Sequence, residues 1–149
     1  MADAEDGPSA GTRVLVVANR TAATPALLDR LRERAAQGPC SFTLLVPRFS
    51  ADADPEGAQA SRTVELAVPA IRDATGSPVA GVVGDVDPFN AVREFVEAER
   101  PDEVVISTLP ERLSRWLRWE LPSRVRALGV PVTVVTARHS DRAVGGEAR

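Results

Sequence analysis

Arg112, Arg115 and Arg118 recur at every third residue. Each carries a planar guanidinium that can hold a phosphate or carboxylate through two parallel hydrogen bonds. On a helix this spacing lines one side of a turn, while Leu113, Trp116 and Leu117 form the opposite, apolar side. Ser107 and Thr108, just upstream, would add neutral hydroxyl donors. The competing reading is a solvated arginine face on an amphipathic segment. Charged stripes are usually surface, so that reading is preferred. Asp85 and Asp87 form a second constellation, two carboxylates that suit a hard cation. Two are few for calcium, and Asp87 before Pro88 is explained without metal as a helix N-cap and first helical residue. Trp116 reads as core; Trp119, on another face, reads as surface or an interface anchor.

Absences narrow the chemistry further. The chain has 149 residues, and all 18 of its basic side chains are arginine. Without lysine there is no Schiff-base nucleophile, no lysine base and no P-loop lysine. The one histidine, His139, lies in a polar C-terminal stretch with nothing to deliver it to a serine or cysteine nucleophile. The one cysteine, Cys40, allows no intramolecular disulfide, and with a single distant histidine it makes no zinc site. It has no basic neighbour in sequence and reads as a small buried hydrophobe. A net charge of −3 gives no electrostatic reason to expect nucleic acid or an anionic membrane as partner. No apolar run approaches the ~20 residues needed to cross a bilayer, and the acidic N-terminus lacks a signal-peptide core. A cytoplasmic globular domain without metal is the expectation.

The elements that must position these residues alternate along the chain. Residues 13–18 (RVLVVA) form a short continuous apolar run, as in a strand buried on both faces. Residues 25–37 follow with helical spacing, Thr24 as N-cap, Pro25 at N1 and Gly38-Pro39 as the stop. Residues 41–46 (SFTLLV) are a second strand. Residues 57–74 predict a helix with a kink or break at Pro69. Residues 78–83 (PVAGVV) are a third strand, weakened by glycine and suited to an edge. A helix then runs from Asp87 to the stop at Pro101. Residues 103–107 and 131–135 are the fourth and fifth strands, with a short helix before the latter from Pro122 at N1 to Leu128, and Gly129 as C′. Strands separated by helices predict a doubly wound α/β sheet with helices on both faces. The ordered domain spans residues 12–137, between tails at 1–11 and 138–149 that lack apolar periodicity.

Three stretches together resemble the universal stress protein family: VLVVANRTAAT after the first strand, GDVDPFNAVREFVEAERPDEVVIS through the third helix and fourth strand, and RVRALGVPVTVV at the end. The resemblance covers roughly residues 13–137. It implies five parallel strands in the order 3-2-1-4-5, with ligands at the carboxyl ends of strands one and four. Nucleotide-binding members follow the fourth strand with Gly, two residues, Gly, nine residues, Gly, then Ser or Thr. Aligned on Asp102, those positions hold Ser107, Pro110, Glu120 and Leu121. The glycines matter because they let backbone N–H groups approach phosphate oxygens. Pro110 has no N–H, Glu120 would bring negative charge, and Leu121 has no hydroxyl. Asn19 stands where the family has an aspartate and remains able to hydrogen-bond.

The resemblance therefore implies a non-catalytic binding or signalling module that has lost the family's ATP cradle, with ATP or another nucleotide disfavoured as cofactor. The candidate ligand set is Asn19, Val46, Ser107, Thr108, Arg112 and Arg115. The alternatives are a nucleotide- or phosphate-binding stress protein with an arginine-based site, and a phosphoester or nucleotide enzyme of the same fold. The absent lysine and the missing Ser-Gly-Gly-x-Asp-Ser loop of related pyrophosphatase-type enzymes count against the enzyme. A third is a pure partner-binding protein whose cleft is filled by Leu109, Leu113 and Trp116. Family members often pair the last strand antiparallel across a two-fold axis, which implies a homodimer through Pro131, Val132, Thr133, Val134 and Val135.

Overall fold

The computed structural model describes residues 11–19, 21–48, 57–108 and 120–136. Five strands, β1 (Thr12–Val17), β2 (Cys40–Pro47), β3 (Val79–Gly84), β4 (Glu103–Thr108) and β5 (Val132–Thr136), alternate with four helices, α1 (Pro25–Ala36), α2 (Ala58–Thr75), α3 (Pro88–Glu99) and α4 (Leu121–Arg126). The strands form one sheet in the order β3-β2-β1-β4-β5, parallel at every pairing. This is the 3-2-1-4-5 arrangement that the resemblance implied. Among the described residues no helix is long and apolar enough to cross a membrane.

Apolar runs without alternation are what a sheet covered on both faces requires. Val14 and Val16 of β1, Phe42, Leu44 and Val46 of β2 and Val105 of β4 meet Leu27, Leu31, Ala67 and Ile71 of α1 and α2. The residues of opposite parity, Leu15, Val17, Leu45, Val104 and Ile106, meet Ala91, Val92, Leu121 and Val125 of α3 and α4. Each fully buried aliphatic or Phe side chain contributes about 1.5–3 kcal/mol. Cys40 is buried in the first of these layers.

Local chemistry starts the helices where expected. Thr24 Oγ1 accepts the N–H of Leu27 at 3.5 Å, with Pro25 at N1. Asp87 Oδ1 accepts the N–H groups of Phe89 at 3.0 Å and Asn90 at 3.4 Å, with Pro88 at N1. At the far end of α1, Arg34 forms a 3.0 Å ion pair with Glu103 and ties the helix to β4.

Three expectations need correction. The helix α2 runs unbroken through Pro69. Pro69 is exposed, as is Glu65, whose carbonyl would have received the missing N–H, so the helix turns this position away from the sheet. The last helix begins one residue earlier than expected, at Leu121 with Glu120 as N-cap, and ends at Arg126 before a turn closed by Gly129 at φ 92°. Gly11, assigned to the N-terminal tail, is fitted closely against Pro39, whose carbonyl oxygen lies 2.2 Å from where a Cβ would stand. The rest of the two expected tails lies outside the described residues.

Candidate functional site

The order of the sheet reverses between β1 and β4, and open α/β sheets take ligands in the crevice beyond the carboxyl ends of the strands at such a point. Ala18 and Asn19 leave β1, and Ser107 and Thr108 end β4. Strand parity places Ser107 on the same side as Val105, toward α1, and Thr108 with Ile106, toward α3. Thr21, in the turn before α1, shares a 2.7 Å hydrogen bond with Ser107, hydroxyl to hydroxyl. Both residues are buried, at 3% and 6% exposure, and the bond joins the loop after β1 to the end of β4. The turn itself is held by the Ala22 N–H on the Asn19 carbonyl at 3.3 Å and the Thr24 N–H on the Thr21 carbonyl at 3.3 Å.

Two polar atoms beside this bond have no partner among the described residues: Asn19 Oδ1 and Thr108 Oγ1. An unpartnered buried polar atom costs about 1–3 kcal/mol. Such an atom calls for a partner that these residues do not supply, a water, an ion or a ligand. Of the expected ligand set, the fold brings Asn19, Ser107 and Thr108 to one end of the sheet. Val46 is there too, at the carboxyl end of β2, but its side chain is wholly buried in the core, so only its backbone faces outward chemistry. Arg112, Arg115 and Arg118 lie outside the described residues, as do Leu109, Pro110, Leu113, Trp116, Trp119 and His139.

The two aligned positions at the start of α4 are informative. Leu121 is 1% exposed and packs with Leu15, Val17 and Ile106 in the α3/α4 layer. Leu121 offers no hydroxyl and serves the core. Glu120 precedes it, exposed and without a side-chain cap bond.

At the edge of the sheet, Asp85 follows the carboxyl end of β3. Asn90 donates its side-chain amide to Asp85 Oδ2 at 2.7 Å, and the Asp87 N–H donates to Oδ1 at 3.3 Å. The Asn90 bond, then the Asp87 N–H, holds the Asp85 carboxyl below its ordinary range, and the charge of Arg48 acts in the same direction. Arg93 in turn donates to Asn90 Oδ1 and, at 3.3 Å, to Glu97. Asp85 and Asp87 are thus spent on the turn and cap of α3. Among the described residues no group of three or more His, Cys, Asp or Glu is placed to hold a metal ion.

Two contributors were not singled out in the sequence. Thr21 had one available signal, a hydroxyl two residues beyond Asn19. Asn90 had one as well, its place three residues after a capping aspartate.

No protein-family profile and no curated protein matches the sequence. Solved structures do match its fold. A universal stress protein from Archaeoglobus fulgidus superposes with a TM-score of 0.59 at 16% identity, over 85% of this chain and 94% of its own. A universal stress protein in complex with cAMP gives 0.60 at 16% identity, over 85% and 98%. A universal stress protein family protein from Arabidopsis thaliana with AMP bound gives 0.55 at 19% identity, over 89% and 95%. The fold of this chain is that of the universal stress proteins, at 16–19% sequence identity to these three.

Proposed function

We propose that this chain is a non-catalytic binding module of the stress-protein fold that has given up the family's triphosphate cradle and works as a homodimer through β5. The observation that carries the first part is Leu121, a core residue at the position that would present a hydroxyl to phosphate, with the Glu120 carboxylate beside it. The Thr21–Ser107 bond supports it, since it already employs the hydroxyl at the first cradle position. Residence in the cytoplasm and a role in stress response belong to the same reading. They rest on the fold resemblance and on a single cysteine that calls for no oxidising compartment.

The test is a thermal-shift titration with ATP and Mg²⁺. A ligand at 100 times its Kd stabilises by about 2.7 kcal/mol, so micromolar ATP is expected to leave the melting temperature unmoved. A clear rise at micromolar ATP, abolished in Asn19→Ala, overturns the proposal.

A second reading is favoured by one observation. Asn19 Oδ1 and Thr108 Oγ1 are unpartnered at the crevice, and two of the structural relatives carry cAMP or AMP. On this reading the crevice takes a small polar ligand with at most one phosphate, the anion being held by Arg112 and Arg115. Native mass spectrometry with AMP and with inorganic phosphate separates the two. Retained AMP, lost in a variant with both arginines replaced by Gln, supports the second reading.

A further inference from the structure

The turn after β1 is fastened at a cost. Thr21 is buried, and its hydroxyl bond to Ser107 ties the turn to the end of β4. Ala22 is buried in the same core layer as Ala18 and Leu27, and its N–H is bonded to the Asn19 carbonyl. With the turn in this place, Asn19 Oδ1 and Thr108 Oγ1 are shut away from solvent without a hydrogen-bond partner. Register brings the two together. Val17 pairs with Ile106, so Asn19 and Thr108, two residues beyond each, come level where β1 and β4 end. A polar oxygen held from water without a partner is penalised, and the penalty vanishes once water or a ligand reaches it. One neutral hydroxyl bond contributes less than two such groups cost. Burial of Ala22 and the Thr21 side chain must supply the rest.

We propose that the turn carrying Thr21 and Ala22 is a latch over the crevice, closed in this structure by Thr21 on Ser107, and that a ligand enters when it opens. Opening gives the Asn19 amide and the Thr108 hydroxyl access to water and frees the Ser107 hydroxyl. Three polar side chains from two strand ends are then available to one ligand. The movement is confined between two fixed points. On one side the Ala18 N–H is bonded to the Leu45 carbonyl at 3.2 Å, and on the other Thr24 caps α1 through the Leu27 N–H. Between them the turn is held by the Ala22 and Thr24 N–H bonds, both at 3.3 Å. The latch sets the fraction of the chain that is competent to bind, and the apparent affinity for any ligand is scaled by that fraction.

This inference rests on the crevice as the module's binding site, but its test needs no ligand, so failure of the latch and failure of that reading are distinguishable. Native-state hydrogen exchange in urea below the unfolding transition is followed at the Ala22 and Thr24 amides, with the buried Leu31 of α1 as reference. In wild type the two turn amides are expected to exchange faster than Leu31 and without urea dependence, which marks local opening. Thr108→Val keeps the side-chain shape and removes an unpartnered hydroxyl. It is expected to raise the melting temperature and to slow the Ala22 amide by roughly tenfold. Thr21→Val removes the latch bond and is expected to speed both turn amides by about the same factor. A lower melting temperature in Thr108→Val would mean that the hydroxyl has a partner, such as a buried water, and overturns the latch. Turn amides that follow Leu31 through the urea series overturn it as well, and so do turn amides unchanged in Thr21→Val.

Discussion

A methyl group on Gly81 would sit 2.4 Å from Val64 Cγ1 and 2.9 Å from Val68 Cγ2. The glycine is there because α2 lies directly on the strand, not because the chain turns. Gly81→Ala is expected to lower stability by about 1–3 kcal/mol, the ordinary range for forcing an extra carbon into a packed contact. Adding Val64→Ala in the same chain should recover part of that loss, and urea unfolding of the single and double variants measures both. Asp85 is the residue with a pH signature. Its folded pKa is depressed, by the Asn90 amide first and the Asp87 N–H second, so its contribution is present above the ordinary aspartate value of about 3.9. It is lost as pH falls from there through the folded value. The stability difference between wild type and Asp85→Asn should therefore be constant from neutral pH down to the ordinary aspartate range and shrink below it. A difference that disappears at higher pH would contradict the assignment. The three crevice residues Asn19, Ser107 and Thr108 were legible in the sequence because they end apolar runs, and strand ends meet at the switch point. The Thr21–Ser107 bond was not. It joins residues 86 apart, and only the sheet's register makes them neighbours.

Among the elements, those with chemical punctuation were the most readable. Thr24-Pro25 and Asp87-Pro88 each combine a side-chain acceptor with a residue that needs no N–H, and both start helices as expected. The helix α2 was misjudged for a physical reason. Interior proline removes one hydrogen bond and crowds the carbonyl four residues back; packing of the opposite face of α2, through Ala60, Ala67 and Ile71, outweighs that cost, and the sequence does not say which face meets the sheet. The proline still forgoes one hydrogen bond. Pro69→Ala is therefore expected to raise the melting temperature, with a gain of about 1–3 kcal/mol in unfolding free energy, and a thermal melt followed by circular dichroism checks it. The start of α4 was blurred because Pro122 reads equally well as a first or a second helical residue, while burial of Leu121 in the α3/α4 layer draws it into the helix.

For the molecule as a whole, the feature with the longest reach is the position of β1. It is the third strand of five, closed on one side by β2 and on the other by β4, and clipped to β4 by the Arg13 N–H on Asp102 Oδ2 at 2.8 Å. Arg13 and Asp102 are 89 residues apart in the chain. At 5–20 residues per second, a ribosome delivers the second neighbour of β1 on the order of 5–20 s after the strand itself. During that interval β1, β2 and β3 have α1 and α2 to cover one face. Leu15, Val17 and Leu45 on the other face await α3 and α4. The nascent chain thus passes through a half-built sheet, greasy on one side and open at its middle strand. Exposed apolar surface and an unpaired strand edge are what make such half-built sheets prone to aggregate, so the rate at which the second half arrives bears on the yield of folded protein.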